Sequence, residues 1–256
     1  MQLQLNSRET ALLKAVAEAA AKIGVPAFAV GGFVRDKILE RPTKDIDVVC
    51  IGDGMALAQA FSKLFHPNPP VSLFKTFGTA QVKFDDIEIE FVGARKESYA
   101  RHSRKPEVSP GTIEDDQNRR DFTVNALAIE LNVAHFGHII DPFGGLEDLQ
   151  NKILRTPLAP AQTFDDDPLR MMRAIRFATQ LDFTITDETF KGIQQIADRI
   201  SIVSQERITD ELQKIMMTKT PSKGWYLLKE AGLLQHIFTL LLQLEGAETL
   251  DGIGHK

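Results

Sequence analysis

The stretch AVGGFVRDKILERPTKDIDVV, residues 29–49, decides how the rest of the chain is read. A short apolar run, AFAV, ends in the pair Gly31–Gly32. FVRDKILE then has the length of a short helix, which Pro42 stops. DIDVVCI resumes as a strand. Asp45 and Asp47 stand two positions apart on that strand, so both carboxylates project from one face while Ile46 and Val48 project from the other. Two carboxylates so close repel each other unless a cation lies between them. Hard oxygen ligands suit Mg²⁺, which binds through one or two carboxylates together with substrate phosphates. Glycines in the preceding turn let a backbone approach phosphates closely, and the helix behind them offers free N–H groups. Phosphate and metal handling is therefore one reading; a plain strand, turn, helix and strand with charged loop residues is the other. The segment has neither GxGxxG nor GxxxxGK[ST], so dinucleotide-binding and P-loop readings lack their fingerprints.

The totals narrow the field. The chain has 256 residues, 43% hydrophobic and 25% charged, enough for one large domain or two small ones. A net charge of -5 argues against a general polycation that coats nucleic acid, but leaves room for a local basic face. Cys50 is the only cysteine, so no intrachain disulfide and no thiolate zinc site can form. It ends an apolar run and reads as a small core residue. This pattern fits a reducing, cytoplasmic setting. The start, MQLQLNSRETALL, lacks the basic and apolar regions of a signal peptide. No run approaches the apolar length of a membrane span.

Along the chain, SRETALLKAVAEAAAKIG reads as a helix capped by Ser7 and ended by Gly24. MALAQAFSKLF is a second helix, stopped at HPNPP. TAQVKF and IEIEFV alternate on either side of Asp85–Asp86 and form a hairpin. If that hairpin pairs beside the DID strand, Glu88 and Glu90 can supply a third carboxylate. ESYARHSRKPEVSPGTIEDDQNRR reads as a mobile loop, whose ARHSRK could touch an RNA backbone or be merely solvated. DFTVNALAIEL reads as a helix leading into a strand, and HIIDPFGGLEDL as a strand end, a turn and a helix start. From DDDPLRMMRAIRF onward helical spacing prevails and no strand is expected. The expected fold is α+β: a head domain, 1–157, with a mixed sheet flanked by helices, then an all-helical region, 158–256. The closing ETLDGIGHK reads as a cut rather than a natural end, so an N-terminal fragment is expected.

GGFVRD followed by DID resembles the first signature of the class II tRNA nucleotidyltransferases, or CCA-adding enzymes, and of the related bacterial poly(A) polymerases. These belong to the DNA polymerase β-like nucleotidyltransferase superfamily. RRDFTVNALA, DPFGGLEDL, DDDPLRMMRAIRF and ERITDELQKIM resemble the later motifs, in order. The resemblance implies template-independent addition of C, C and A to the 3′ end of tRNA from CTP and ATP with Mg²⁺. It implies that Asp45 and Asp47 hold the metal, with Glu90 as a third catalytic carboxylate. It implies that Gly31, Gly32 and Arg35 meet the triphosphate, and that Arg120, Asp121 and Asn125 surround sugar and phosphates. Asp167, Arg170, Arg173 and Arg176 match the nucleotide-selecting helix. Poly(A) polymerases and A-adding or CC-adding variants share these motifs. A non-catalytic nucleotide- or RNA-binding module is the reading from another class. Many bacterial relatives continue into an HD phosphohydrolase-like domain.

The fourth motif also has a physical reading. Cytosine and adenine present an amino donor beside a ring-nitrogen acceptor; uracil and guanine present a carbonyl beside a ring N–H. A carboxylate three residues before an arginine lies near it on a helix. Asp167 can accept from the amino group while Arg170 donates to the ring nitrogen. A wrong base leaves buried polar groups unpaired, which can discriminate by roughly 10⁴-fold. Asp167–Pro168 is equally a good helix start. Arg173 and Arg176 extend a basic side opposite Met171, Met172 and Ile175, which suits phosphate contact.

Overall fold

The computed structural model describes residues 3, 5–98, 107–242, 249–250 and 253–254. These form two compact units, one of the described residues up to Asn151 and one from Lys152 onward.

The first unit is built on a seven-stranded mixed sheet in the order β3–β4–β5–β2–β1–β8–β9. Its strands are β1 (Ala27–Val30), β2 (Asp45–Cys50), β3 (Val71–Phe74), β4 (Thr79–Phe84), β5 (Ile87–Gly93), β8 (Ala128–Glu130) and β9 (Ile139–Ile140). β6 (Arg95–Ser98) and β7 (Glu107–Pro110) pair separately. Only β2 and β5 run parallel; the other neighbours are antiparallel. Helices α1 (Ser7–Ile23) and α3 (Gly54–Ser62) pack on each other, and α3 packs on β4 and β5. Ile46, Val48, Ile89 and Phe91 are buried, and Phe91 meets Phe61 of α3 at a centroid distance of 5.4 Å. Phe28, Val30, Val49, Ala94 and Ala128 form a second apolar cluster.

Local chemistry explains most of these elements. α1 is capped by Asn6, not Ser7: the Asn6 side chain accepts from Glu9 N at 2.8 Å and Glu9 returns a bond to Asn6 N. Ser7 is instead the first helical residue. Gly24 ends α1 at φ 71. Cys50 is buried, and burial, reinforced by Asp53, pushes its thiol up to about 12.

Two segments depart from expectation. The stretch taken as a mobile loop contains β6, β7 and helix α4 (Ile113–Asn118), which opens with a capping box between Thr112 and Asp115. Short capped elements leave little periodic signal, so they escape pattern reading. ARHSRK, with His102, lies outside the described residues. The helix expected over DFTVNALAIEL is a single 3₁₀ turn, Thr123–Asn125, before β8. That turn is held from below: Thr123 Oγ1 donates to Asp148 Oδ2 at 2.5 Å, and Asp148 is buried on α5 (Gly145–Asn151). Asp141 caps α5, accepting from Gly145 N at 2.7 Å and Leu146 N at 2.9 Å. DPFGGLEDL thus supports RRDFTVNALA from beneath.

The second unit contains a two-stranded parallel pair, β10 (Ile153–Leu154) with β11 (Thr184–Ile185), the latter in a stretch where no strand was expected. Two-residue strands are too short to show alternation. Its helices include α6 (Pro160–Asp166), α7 (Leu169–Gln180), α8 (Asp187–Gln195), α9 (Gln205–Met216) and α10 (Pro221–Glu230). α7 is central, packed by α9 and α10. A Cβ on Gly224 of α10 would collide with Ile215 of α9, so glycine permits the close approach.

Gly145→Ala tests the support beneath the 3₁₀ turn. Helix propensity alone favours Ala by about 1 kcal/mol. A Cβ there would lie 2.5 Å from the Thr123 carbonyl oxygen, so overpacking wins. The substitution is expected to destabilise the first unit by about 1–3 kcal/mol in urea denaturation.

Candidate active site

β2 sits between β1 and β5, and its register sets the site. Asp45 pairs with Glu88 and Asp47 with Glu90, so four carboxylates share one face in two opposed pairs. On the other side of β2, Val30 of β1 faces Asp47 and Phe28 faces Val49. The acid pair therefore occupies the margin of the second apolar cluster. Asp45 is exposed and Asp47 half-buried. The Asp47 pKa is raised, first by burial; Arg120 opposes this, and Asp45 and Asp116 add to it. The Glu90 pKa is also raised, by burial and then by Asp47, with Arg95 opposing. Like charge is concentrated here, as a cation site requires.

Among the described residues no three His, Cys, Asp or Glu groups already converge as a metal cluster. A pair of carboxylates completed by substrate phosphates is nevertheless the usual protein share of a Mg²⁺ site. Asp45 and Asp47 fit that donor set.

Beside the acids lies a hydrogen-bonded network. Gly31, at φ 70 and ψ -132, donates its N–H to Leu127 O at 3.1 Å and precedes α2 (Gly32–Ile38). Arg35 of α2 is buried; it grips Asp36 through Nε at 2.9 Å and Nη2 at 2.8 Å, and donates from Nη1 to Asn125 Oδ1 at 2.6 Å. Asn125 Nδ2 donates to Asp121 Oδ1 at 2.9 Å, and the same oxygen accepts from Phe122 N at 2.9 Å. Arg120 donates from Nη1 to Asn125 O at 3.3 Å and from Nε and Nη2 to Asp116 Oδ2 at 3.0 and 2.8 Å. A Cβ on Gly31 would lie 2.6 Å from Arg120 Nη1. Gly31 is therefore glycine for two reasons, its backbone angles and the guanidinium against it.

Arg35, Arg120, Asp121 and Asn125 are thus brought together with Gly31 and linked to Asp47. Asp116 escaped the sequence reading. It is fully buried and accepts from Arg119 as well as Arg120. Its spacing of three and four residues before those arginines was the available signal.

The remaining candidates belong to the second unit. Asp167 Oδ1 accepts from Leu169 N at 3.2 Å at the head of α7, and its Oδ2 lies 3.9 Å from Arg207 Nη2 of α9. Arg170 is buried and donates to Thr163 O at 3.3 Å. Arg176 is also buried, with Nε 2.5 Å from Glu211 Oε2, Nη1 2.9 Å from Gln180 Oε1, and its guanidinium 3.9 Å from the Phe177 ring centre. Arg173 is half-buried and stands 5.3 Å from the same ring. α7 is thus buried on most sides rather than divided into an apolar and a basic side.

With this geometry established, comparison with known proteins is direct. Residues 27–155, half of the chain, match the family described as Poly A polymerase head domain. Residues 182–244 match one described as a probable RNA and SrmB-binding site of polymerase A. An A-adding tRNA nucleotidyltransferase of Aquifex aeolicus is 41% identical over 169 residues, covering 66% of this chain and 20% of that protein. A CCA-adding enzyme of Anoxybacillus flavithermus is 36% identical over 232 residues, covering 90% of this chain and 56% of that protein. Among solved structures, a CCA-adding enzyme in an apo form superposes with a TM-score of 0.83 at 30% identity, over 93% of this chain and 58% of that one. A tRNA nucleotidyltransferase complexed with a primer tRNA and an incoming ATP analogue gives 0.76 at 31% identity, over 92% and 64%. This is a nucleotidyltransferase head on a mixed sheet, followed by a mainly helical unit. The chain belongs to the family of class II tRNA nucleotidyltransferases and poly(A) polymerases. It spans between a fifth and three fifths of the length of the curated relatives named here. No helix among the described residues is long and apolar enough to cross a membrane.

Gly31→Ala tests the crowding around Arg120. It is expected to cost about 1–3 kcal/mol through backbone strain, checked by thermal melting. Gly78→Ala, also at positive φ but with nothing within 4 Å, should cost less.

Proposed function

We propose that this chain carries the catalytic and nucleotide-selecting parts of an enzyme that adds C, C and A to the 3′ end of tRNA from CTP and ATP. The observation that carries the reading is the register of β2 on β5, which sets Asp45 and Asp47 against Glu88 and Glu90 on one face, beside Arg120. In the reaction the RNA 3′-oxygen bonds to the α-phosphorus of the incoming nucleotide, and the bond to the departing pyrophosphate breaks. Asp45 and Asp47 would hold the divalent cation, with Glu90 as an adjoining carboxylate. When bound, the cation lowers the pKa of the attacking hydroxyl and neutralises phosphate charge. Gly31 and Gly32 leave room for the triphosphate. Arg35 and Arg120 supply positive charge toward it; Asn125, oriented by Asp121, holds those guanidinium groups, and both residues address the sugar. Such fixed groups stabilise charge in the transition state without reorganising.

Base choice is assigned to the second unit. Asp167, which accepts from Leu169 N at the head of α7 and lies 3.9 Å from Arg207, would accept from the amino group of cytosine or adenine, while Arg170 would donate to the ring nitrogen. Arg173 would contact a phosphate. Arg176, held by Glu211, contributes by fixing α7 to α9. Addition of A alone is a second reading, supported by the 41% identity to the A-adding enzyme. Supplying CTP alone and ATP alone to tRNAs lacking the whole CCA end, the last two nucleotides or only the terminal A separates the two activities.

Asp45→Asn and Asp47→Asn are each expected to abolish incorporation while the protein stays folded; substantial turnover in both would refute the metal assignment. Thermal unfolding with Mg²⁺ and each nucleotide in turn tests base reading, since a ligand that binds only the folded state raises the midpoint. CTP and ATP should shift it, UTP and GTP should not, and Asp167→Ala should remove the difference. Equal shifts by all four in the unaltered chain would refute the Asp167–Arg170 pair.

A further inference from the structure

We propose that Asp116 is a positioning residue that keeps Arg120 turned away from Asp47, so that the acidic pair stays open to a divalent cation. This rests on the reading of Asp45 and Asp47 as the cation's ligands.

The problem it solves is electrostatic. Arg120 Nη1 lies against Gly31, the residue after Val30, and Val30 pairs with Asp47 across β1 and β2. A guanidinium beside a carboxylate favours a direct, paired bridge. Such a bridge on Asp47 would neutralise the ligand, and an entering cation would have to break it. Arg120 is instead held elsewhere. Its Nε and Nη2 edge is taken by Asp116 Oδ2 at 3.0 and 2.8 Å, and its Nη1 by Asn125 O at 3.3 Å. The bare Gly31 backbone leaves just enough space for that pose.

Asp116 is well suited to this task. It is fully buried, so water does not weaken its hold. Burial acts to raise its pKa, but Arg120 and Arg119 outweigh that and keep it below the ordinary carboxylate range. Arg119 binds the other oxygen, Oδ1, through Nε at 3.0 Å and reaches Glu97 Oε1 at 3.4 Å, which Arg95 also bonds at 2.7 Å. The Asp116 carboxylate is thus oriented from β6 on one side and presents its second oxygen to Arg120. Gln117, next in α4, fixes the helix by donating to Ala126 O at 2.7 Å.

The test follows the unfolding midpoint of the nucleotide-free protein as Mn²⁺ is added, in the unaltered chain, Asp45→Asn, Asp116→Asn, Arg120→Gln and the double variant Asp116→Asn/Arg120→Gln. The unaltered chain should show a saturable shift that Asp45→Asn removes. Asp116→Asn should raise the half-saturating Mn²⁺ concentration about tenfold or more, the scale on which groups behind a metal ligand act. Adding Arg120→Gln should bring it back, because the competing guanidinium is gone. Arg120→Gln alone should leave it unchanged or lower it, which keeps the proposal testable if Asp116→Asn does not fold. An unchanged half-saturation in Asp116→Asn, no recovery in the double variant, or a rise in Arg120→Gln would each overturn the role of Asp116 while leaving the cation site standing. A shift absent from the unaltered chain would overturn the proposal that the acids stand open to a cation before nucleotide binds, and one untouched by Asp45→Asn would overturn the assignment of Asp45 as well.

Discussion

The first unit depends on the register of one central strand. Side chains alternate across β2, so burying Ile46 and Val48 in the α1–α3 core commits Asp45 and Asp47 to the opposite face. A slip of one residue would bury both carboxylates and expose two aliphatic side chains, so apolar burial is what secures the acids. Parallel pairing with β5 then repeats the pattern, with Ile89 and Phe91 buried and Glu88 and Glu90 beside the aspartates. The hydrophobic effect thus assembles a concentration of negative charge that electrostatics alone would disperse.

That charge is kept in order by arginines that are themselves held. Arg35 is gripped by Asp36 and Asn125, and Arg120 by Asp116 and Asn125. Each guanidinium is a fixed fork rather than a mobile charge, which in the proposed function would limit reorganisation on phosphate binding. Motifs that look catalytic by composition divide into those that touch this network and those that hold it. Asp141 and Asp148 belong to the second kind: one caps α5, and the other supports the turn that carries Asn125.

The second unit follows the same rule with a different result. Arg170 and Arg176 are buried among apolar residues of α7, and the Glu211 carboxylate of α9 meets Arg176 at 2.5 Å. Breaking such a pair is costly because it leaves a charge in a poor solvent, so the pair specifies how α7 and α9 meet. Glycine at position 224 lets α10 approach the same helices closely. Arg176, which the linear pattern sets on a basic side suited to phosphate, is here part of the packing.

By itself the sequence determined the local elements and the sidedness of the acids. The AFAV strand, the turn at Gly31–Gly32, the DID strand and the hairpin about Asp85–Asp86 were all legible, because alternation and turn chemistry act over a few residues. Only the tertiary structure decided which acid faces which, that Asp116 stands behind Arg120, and that Arg176 pairs with Glu211 35 residues away. The short strands and the single 3₁₀ turn were equally invisible, since two or three residues cannot display a period. Periodicity records what a residue's own element requires. The partner of a buried charge comes from another element, and its identity is settled only when the two elements pack.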